Sequence, residues 1–294
     1  MDLFFQQLIN ALNTGSIYAL VAIGYTMVYG IIRLINFAHG DIMMFGAYFA
    51  FIFASIFPFQ LPVILIIIIS MALAALMGVI IERVAYKKLR KAPRISALIT
   101  AIGMSLFLQN LALLIFKPEP KVMPVLISKS QVNIFGLGVP ILTLYTIGIS
   151  VLFMILLTLF VHKTKPGKAM RAVSQDQEAA MLMGINVNSI VSLTFAIGSA
   201  LGALGGVFYS ISYSQVYPTL GVMPGLKAFV AAVLGGIGNI GGAMLGGYII
   251  GAIETFTNGY ISTRWADAIV FSILIFVLLF KPSGILGKNT KEKV

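Results

Sequence analysis

Long stretches without a charged side chain are the feature that most constrains this chain. Residues 3–32, 42–81, 95–116 and 179–226 contain no Asp, Glu, Lys or Arg. Each stretch is at least as long as the roughly 20 apolar residues that cross a bilayer. Only 10% of all residues are charged, against about 25% in an ordinary soluble domain. The pattern predicts a polytopic membrane protein and excludes soluble enzymes and nucleic-acid-binding proteins.

The basic residues indicate topology rather than a polyanionic partner. Of the 20 Lys and Arg residues, 14 lie in the three segments 82–94, 163–171 and 281–293. Short loops rich in Lys and Arg stay on the cytoplasmic side of a membrane. We therefore expect a multi-pass protein of the cell membrane, with its N-terminus outside and its C-terminus in the cytoplasm. The net charge of +11 then requires no nucleic acid.

Fixing these three segments inside predicts an all-α helix bundle of about eight or nine transmembrane helices. The main external loop is predicted at 117–140, and 58–62 is a shorter one. The expected crossings are 8–32, 42–57, 63–81, 95–116, 141–161, 190–213, 243–258 and 266–280.

The segment 225–242 is ambiguous between a short span with a turn and a re-entrant hairpin. It contains five glycines between Gly235 and Gly242. Irregular backbone at membrane depth occurs only inside protein or beside a water-filled cavity, so Gly236, Gly238 and Asn239 are candidates for the wall of a translocation path. The match of 236–241 to G-x-G-x-x-G is rejected, because that motif has meaning only in a soluble βαβ unit.

Two further patterns concern helix packing. Glycines recur every four residues at 198, 202 and 206 and at 238, 242 and 246, which predicts close helix contacts or a mobile seam. A shift of 200 residues places Met44, Gly46 and Tyr48 on Met244, Gly246 and Tyr248. This favours a two-fold internal repeat, as in many transporters, although three matches also arise by chance in so apolar a chain.

No catalytic or metal-binding pattern is visible. The two histidines, His39 and His162, are far apart, the carboxylates are scattered, and there is no cysteine. A zinc site needs ligands at defined short spacings. We therefore expect no catalytic residue, no metal and no cofactor in this chain, which is predicted not to be an enzyme.

A short polar segment in the second basic loop predicts a capped helix. Ser174 and Gln177 fit a capping box, Asp176 and Glu178 suit a helix N-terminus, and Gly184 suits the C-terminal cap. Ala179 and Ala180 belong to its apolar side. Such a helix either docks on another protein or folds back on the spans of this chain, and the pattern leaves both open.

The same segment resembles a known signature. Glu178-Ala179-Ala180, followed after three residues by Gly184, is similar to the loop signature of ABC importer permeases. Residues 24–41, with their Asn-Phe-Ala-His-Gly block, resemble the LivH-type permease of branched-chain amino acid importers. So do 82–86, 167–172, 235–239 and 281–284, in the same order and nearly end to end. The Ile-x-Leu-Pro tail of the general signature is absent, as is common in this family.

The resemblance implies one transmembrane domain over 1–294, with a coupling loop at about 163–189 that meets the ATPase through Ser174, Asp176, Glu178, Ala179, Ala180 and Gly184. It implies a heterodimer with a second permease, two cytoplasmic ATPases that bind ATP and Mg²⁺, and an external binding protein. Urea, short amides and other amino acids remain alternative cargoes. A secondary transporter or channel would need coupling carboxylates or a filter in its spans, and a membrane enzyme would need a catalytic cluster.

Polar residues near or within the spans are candidates for the translocation path, because a charge at a helix centre needs a partner or water. Asn36, His39 and Asp41 are expected at the inner end of the first turn, where an interfacial cap is favoured over a substrate contact. Glu254 is expected to pair with Lys227 or Arg264, with a gate contact as the alternative. Gln109 and Asn110 are both expected to face the protein interior.

Overall fold

The structure, a computed structural model, describes residues 2–57, 61–90, 92–128, 130–134 and 137–287. Part of the external loop predicted at 58–62 and part of the basic segment 281–293, namely 288–293, lie outside the described residues. Within them the chain forms eleven α-helices and four short strands. In chain order the helices are α1 (Asp2–Ile32), α2 (His39–Ile56), α3 (Val63–Ile81), α4 (Arg94–Phe116), α5 (Ile141–Lys163), α6 (Lys165–Gln175), α7 (Gln177–Leu182), α8 (Val187–Tyr213), α9 (Val222–Gly235), α10 (Ile240–Tyr260) and α11 (Thr263–Phe280).

Eight of these helices are long and apolar enough to cross a membrane: α1, α2, α3 with its continuation, α4, α5, α8, α10 and α11. After α3 the chain continues through a π-helical turn, Glu82–Tyr86, and a 3₁₀ turn, Lys87–Leu89. The predicted all-α membrane bundle is confirmed. The ambiguous segment is resolved as the 14-residue helix α9 followed by a tight turn.

The centre of the bundle is formed by α1, α2, α8, α9 and α10, which pack closely because small residues line their contacts. Gly198 lies against Gly24, and Gly206 lies against the carbonyl of Met43. Gly246 lies against the carbonyl of Ala231 on α9. The predicted packing role of these glycines is confirmed, whereas the two-fold repeat remains a prediction.

The helices α4, α5 and α11 lie at the periphery and expose large apolar side chains, among them Leu114 and Leu279. Such a surface is far more apolar than that of a monomeric soluble protein. A bilayer or another membrane subunit must therefore cover these helices.

Two pairs of short strands lie between helices. Strand β1 (Lys121–Val122) pairs antiparallel with β4 (Gln215–Val216), and β2 (Gln131–Ile134) forms a hairpin with β3 (Leu137–Pro140). The first pair ties the long loop after α4 to the end of α8.

The bundle has two ends with different charge. Gly259, near the end of α10, lies beside Gln7 of α1, whereas Gly238 lies beside Gly30. The segment 281–287 lies at the same end as Gly238 and Gly30, because the Ile285 amide donates to the Leu234 carbonyl. The start of α1 and the end of the described chain therefore lie at opposite ends. We call the one with the turns after α1, α3, α5, α9 and α11 the basic end, since it carries the Lys- and Arg-rich segments.

Candidate functional site

Helix α2 begins inside the bundle rather than at its surface. A side chain added at Gly24 would overlap the His39 imidazole, and one added at Gly202 would lie 3.1 Å from its Cε1 atom. Gly24 precedes the end of α1 by eight residues, or about 12 Å at 1.5 Å per residue. After Arg33 the chain therefore turns back into the bundle before α2 starts at His39.

Helix α9 begins at the same depth, directly beside the start of α2. Backbone atoms of Gly221 and Gly225 approach Gly40 so closely that a Cβ atom on any of the three would overlap the opposite backbone. Only glycine, which has no Cβ atom, allows two backbone segments to approach in this way. The N-termini of two short helices therefore meet inside the bundle, as in transporters with discontinuous helices.

A cleft of about 190 Å³ lies at this junction. Asp41, Ser105 and Gln109 form its polar wall, together with backbone from the starts of α2 and α9. Its remaining wall is apolar and comprises Tyr25, Phe37, Ile102, Leu106, Val222 and Leu226. This combination of an apolar wall with a few convergent polar groups is typical of a small-molecule site.

Asp41 has an incomplete set of partners in this cleft. It is 2% exposed, and its Oδ1 atom accepts a hydrogen bond of 3.1 Å from Gln109 Nε2. Gln109 Nε2 also donates to Ser105 Oγ at 3.1 Å. The Oδ2 atom of Asp41 is buried without a hydrogen-bond partner. The structure thus brings together Asp41 and Gln109, two predicted path residues on different helices.

The structure shows the burial of Asn36, His39 and Asp41, whereas their role as an interfacial cap stays a prediction. All three are buried, because the chain re-enters the bundle at this point. Asn36 accepts a hydrogen bond of 2.9 Å from the Tyr86 hydroxyl. His39 packs against Tyr25 with 4.5 Å between ring centroids, and its Nε2 atom has no hydrogen-bond partner. Asn36 and His39 therefore support the start of α2, whereas Asp41 lines the cleft.

Asn110 does not share the position of Gln109. It is exposed, and its side chain donates to the Leu106 carbonyl of its own helix at 2.8 Å. Consecutive residues of an α-helix point about 100° apart, so both could not face one interior site. The expectation that both face inward is correct for Gln109 and wrong for Asn110.

Gly236, Gly238 and Asn239 form the turn between α9 and α10 at the basic end, away from Asp41. The two glycines have φ values of 103° and 95°, which explains glycine at both positions. Asn239 Oδ1 accepts from the Gly242 amide at 3.0 Å and so caps α10, and its Nδ2 donates to the Leu286 carbonyl at 2.9 Å. The structure does not bring these residues to the cleft.

Glu254 belongs to a charge cluster on the opposite side of α9, in which Lys227 is buried and Asp267 is half exposed. Lys227 Nζ lies 2.6 Å from Glu254 Oε1 and 2.7 Å from Asp267 Oδ1. The Tyr18 hydroxyl donates to Glu254 Oε2 at 2.6 Å. The favoured interpretation, an ion pair with Lys227, is confirmed. Sequence reasoning missed Tyr18 and Asp267, since no local pattern links them to Glu254.

The predicted capped helix is α7, but its N-cap residue differs from the one that the capping-box pattern predicts. Asp176 is the N-cap: its Oδ1 atom accepts from the amides of Glu178 at 2.9 Å and Ala179 at 3.0 Å. Ser174 instead lies within α6 and donates to the Arg171 carbonyl. The predicted capping box of Ser174 with Gln177 is therefore wrong, because α6 continues to Gln175.

The C-terminal cap at Gly184 is confirmed. Gly184 has φ 79°, and its amide donates to the Met181 carbonyl while the Ile185 amide donates to the Ala180 carbonyl. These two bonds are those of a Schellman motif. They stop α7 after six residues and turn the chain into α8.

One side of α7 is uncovered. Ala180 is buried against the bundle, whereas Met181, Leu182 and Met183 are exposed, Leu182 by 89% and Met183 by 81%. Glu178 and Ala179 are exposed as well. The helix therefore packs on the bundle through Ala180. Its apolar tip, formed by Met181, Leu182 and Met183, is exposed beside the Glu178 carboxylate.

A buried ion pair holds the neighbouring segment in place. Arg90 pairs with Glu82 and donates to Asn188 Oδ1 at 2.8 Å. Ser192 Oγ donates to Glu82 Oε2 at 2.7 Å. The turn after α3 is thus bonded to the start of α8, directly after α7. Sequence reasoning missed this network, because Glu82 and Ser192 are 110 residues apart.

Comparison with known proteins gives one family. Residues 7–278 match the family described as branched-chain amino acid transport system / permease component. The chain is 43% identical, over 99% of its length and 98% of the relative, to the high-affinity branched-chain amino acid transport system permease protein BraD of Pseudomonas aeruginosa. It is 42% identical, over 99% and 98%, to the corresponding protein LivH of Escherichia coli. A more distant relative, the ribose import permease protein RbsC of Escherichia coli, is 25% identical over 97% of this chain and 86% of that protein.

Proposed function

The chain belongs to the branched-chain amino acid transport system permease family, and from this premise we propose that it forms half of the membrane path of an ABC importer for branched-chain amino acids. An external binding protein delivers the amino acid, and a second, related permease completes the path. Two cytoplasmic ATPases bind ATP and Mg²⁺ and drive the cycle. This chain itself carries out no chemical reaction.

The exposed tip of α7 is the observation that carries this proposal. Met181, Leu182 and Met183 form an apolar surface at the basic end of the bundle. An exposed apolar patch beside polar residues is typical of a protein-protein contact. We assign the ATPase contact to this tip together with Glu178, Ala179 and Gly184, within the coupling loop at about 163–189.

The charge difference between the two ends supports the orientation. The basic end carries the Lys- and Arg-rich segments, and such segments stay in the cytoplasm. The ATPase contact and the C-terminal segment then lie inside the cell, whereas the start of α1 and the strands β1 to β4 lie outside. The loop that carries β2 and β3 is placed to meet the binding protein.

The cleft at the start of α2 and α9 is our candidate for the translocation path. It lies between α2, α4 and α9, and three of its apolar lining residues, Ile102, Leu106 and Val222, provide the apolar surface that an aliphatic side chain requires. The exposed apolar faces of α4 and α11 leave room for both lipid and the second permease. The turn at Gly236, Gly238 and Asn239 then belongs to the cytoplasmic end of the bundle.

Co-purification with the ATPases tests the proposal at its main contact. Replacing Leu182 with Asp places a charge at the centre of the apolar tip, and we expect the ATPases to be lost while the permease remains in the membrane. Val125→Asp is the matched control, since Val125 is an exposed apolar residue of the opposite end. Retention of the ATPases by Leu182→Asp would contradict the assignment of this contact.

A further inference from the structure

We propose that the cleft between the starts of α2 and α9 binds the α-ammonium group of the amino acid through Asp41, so that this chain itself selects zwitterionic substrates. The inference rests on the proposed function, because it names the group of the substrate that binds in the proposed path.

Asp41 is a buried carboxylate without a cation. The ion pairs of the described residues join Lys227 to Glu254 and Asp267, and Arg90 to Glu82, but none includes Asp41. Its hydrogen-bond partners among the described residues are both neutral, the amide of Gln109 and the hydroxyl of Ser105, and Oδ2 has none. A buried charge is tolerated only when it is paired and hydrogen-bonded, so a cationic ligand would complete this site.

The backbone around the same cleft supplies charge of the opposite sign. Gly40 at the start of α2, and Gly221 and Val222 at the start of α9, line it. The N-terminus of a helix carries partial positive charge and favours an anion. Because Asp41 itself occupies the first turn of α2, the cleft offers a carboxylate for an ammonium group and the N-terminus of α9 for a carboxylate group, which are the two charged groups of an amino acid.

The size and character of the remaining wall suit an aliphatic side chain. The cleft has a volume of about 190 Å³, and a cavity of about 150 Å³ is known to hold benzene. An amino acid with a short aliphatic side chain is of this order. Phe37, Ile102, Leu106 and Leu226 provide the apolar surface for that side chain.

Direct binding of leucine and of 4-methylpentanoate to the complete importer tests the proposal. The second compound keeps the aliphatic chain and the carboxylate but lacks the ammonium group. The assay uses the assembled complex in lipid nanodiscs without the binding protein, so that only the membrane subunits discriminate. We expect the wild-type complex to bind leucine at least about tenfold more tightly than 4-methylpentanoate, since a hydrogen bond to a charged group contributes about that factor.

Asp41→Asn should remove this preference, and Asp41→Glu should retain part of it. Glu119→Gln is the matched control, because it removes a carboxylate from the exposed loop after α4 and should leave the preference unchanged. Co-purification of the two ATPases and the second permease with each variant shows that the complex is assembled and folded.

The outcomes separate this inference from the proposed function. A wild-type complex that prefers leucine, and an Asp41→Asn complex that keeps the same preference, would overturn the role of Asp41 and leave the importer assignment intact. Failure of the wild-type complex to take up any branched-chain amino acid from its binding protein would overturn the proposed function itself.

Discussion

Two carboxylates, Asp41 and Glu254, lie on opposite sides of α9, and they differ in how completely they are satisfied. Glu254 has Lys227 and the Tyr18 hydroxyl as partners, with Asp267 completing the cluster. Among the described residues Asp41 has only neutral partners, the Gln109 amide and the Ser105 hydroxyl, and its Oδ2 atom has no partner. The first cluster is complete within the chain and ties α9 to α1, α10 and α11. The second cluster is complete only when a cationic ligand enters the cleft.

The difference indicates a division of roles along one short helix. The side of α9 that carries Lys227 is fixed to its neighbours by charge, whereas its N-terminus borders a cavity. A helix held in this way presents a rigid wall to a transient ligand. Substitutions on the Lys227 side should therefore mainly lower stability, whereas substitutions at the cleft should mainly lower transport.

The largest effect on stability should come from Lys227→Met. Removing one partner of a buried ion pair costs about 3–5 kcal/mol, because the remaining charge is left uncompensated. Here two carboxylates would face each other. We expect a large fall in the midpoint of thermal unfolding of the detergent-purified permease, followed by intrinsic fluorescence. Lys168→Met, at an exposed lysine of α6, should leave the midpoint near its wild-type value.

The next effect concerns the contact that forms the cleft. Gly40→Ala would place a methyl group against the Gly221 carbonyl, and overpacking of this kind costs about 1–3 kcal/mol. Gly103→Ala is the control on α4, since a Cβ atom there meets no neighbour within 4 Å. We expect Gly40→Ala to lower both the unfolding midpoint and leucine uptake, and Gly103→Ala to lower neither. Equal behaviour of the two variants would contradict the close approach of α2 and α9.

A third carboxylate, Asp176, extends the comparison to a group satisfied by local backbone amides. Asp176→Ala removes an N-cap, which costs about 1 kcal/mol, and Ser174→Ala removes no cap. Hydrogen exchange of the amides of 178–182 should therefore become faster in Asp176→Ala alone. Faster exchange in Ser174→Ala would restore the capping box that the sequence pattern predicts.

The smallest effect on stability should come from Asp41→Asn. The side-chain amide oxygen of this variant can still accept from Gln109, and the change removes a charge that has no cation among the described residues. We expect the unfolding midpoint to stay the same or rise, in contrast to Lys227→Met. A fall as large as that of Lys227→Met would show that Asp41 has a structural partner and would weaken the distinction between the two carboxylates.

The features predicted from the sequence are those encoded by neighbouring residues. Charge-free stretches predicted the long helices, and Gly184 predicted the end of α7, because both signals lie within one segment. Ser174 was misassigned as the cap, since two acceptors two residues apart compete for the same helix start and local sequence does not decide between them.

The parts that were missed depend on contacts between distant residues. Asp41 and Gln109 are 68 residues apart, and Tyr18 and Glu254 are 236 apart. The depth of His39 follows from two glycines on α1 and α8, whose spacing indicates close packing but not what is packed there. The partner of a buried polar side chain is set by tertiary structure, so a single sequence identifies the candidates and not their pairs.

ATP-dependent uptake of labelled leucine into proteoliposomes tests the central claim most directly. The vesicles contain this chain with its second permease and the two ATPases, and the binding protein is added outside. We predict uptake that requires ATP and the binding protein, that is lost in Glu178→Arg, and that persists in the Gly103→Ala control. Wild-type uptake by Glu178→Arg, or uptake without ATP, would contradict the account.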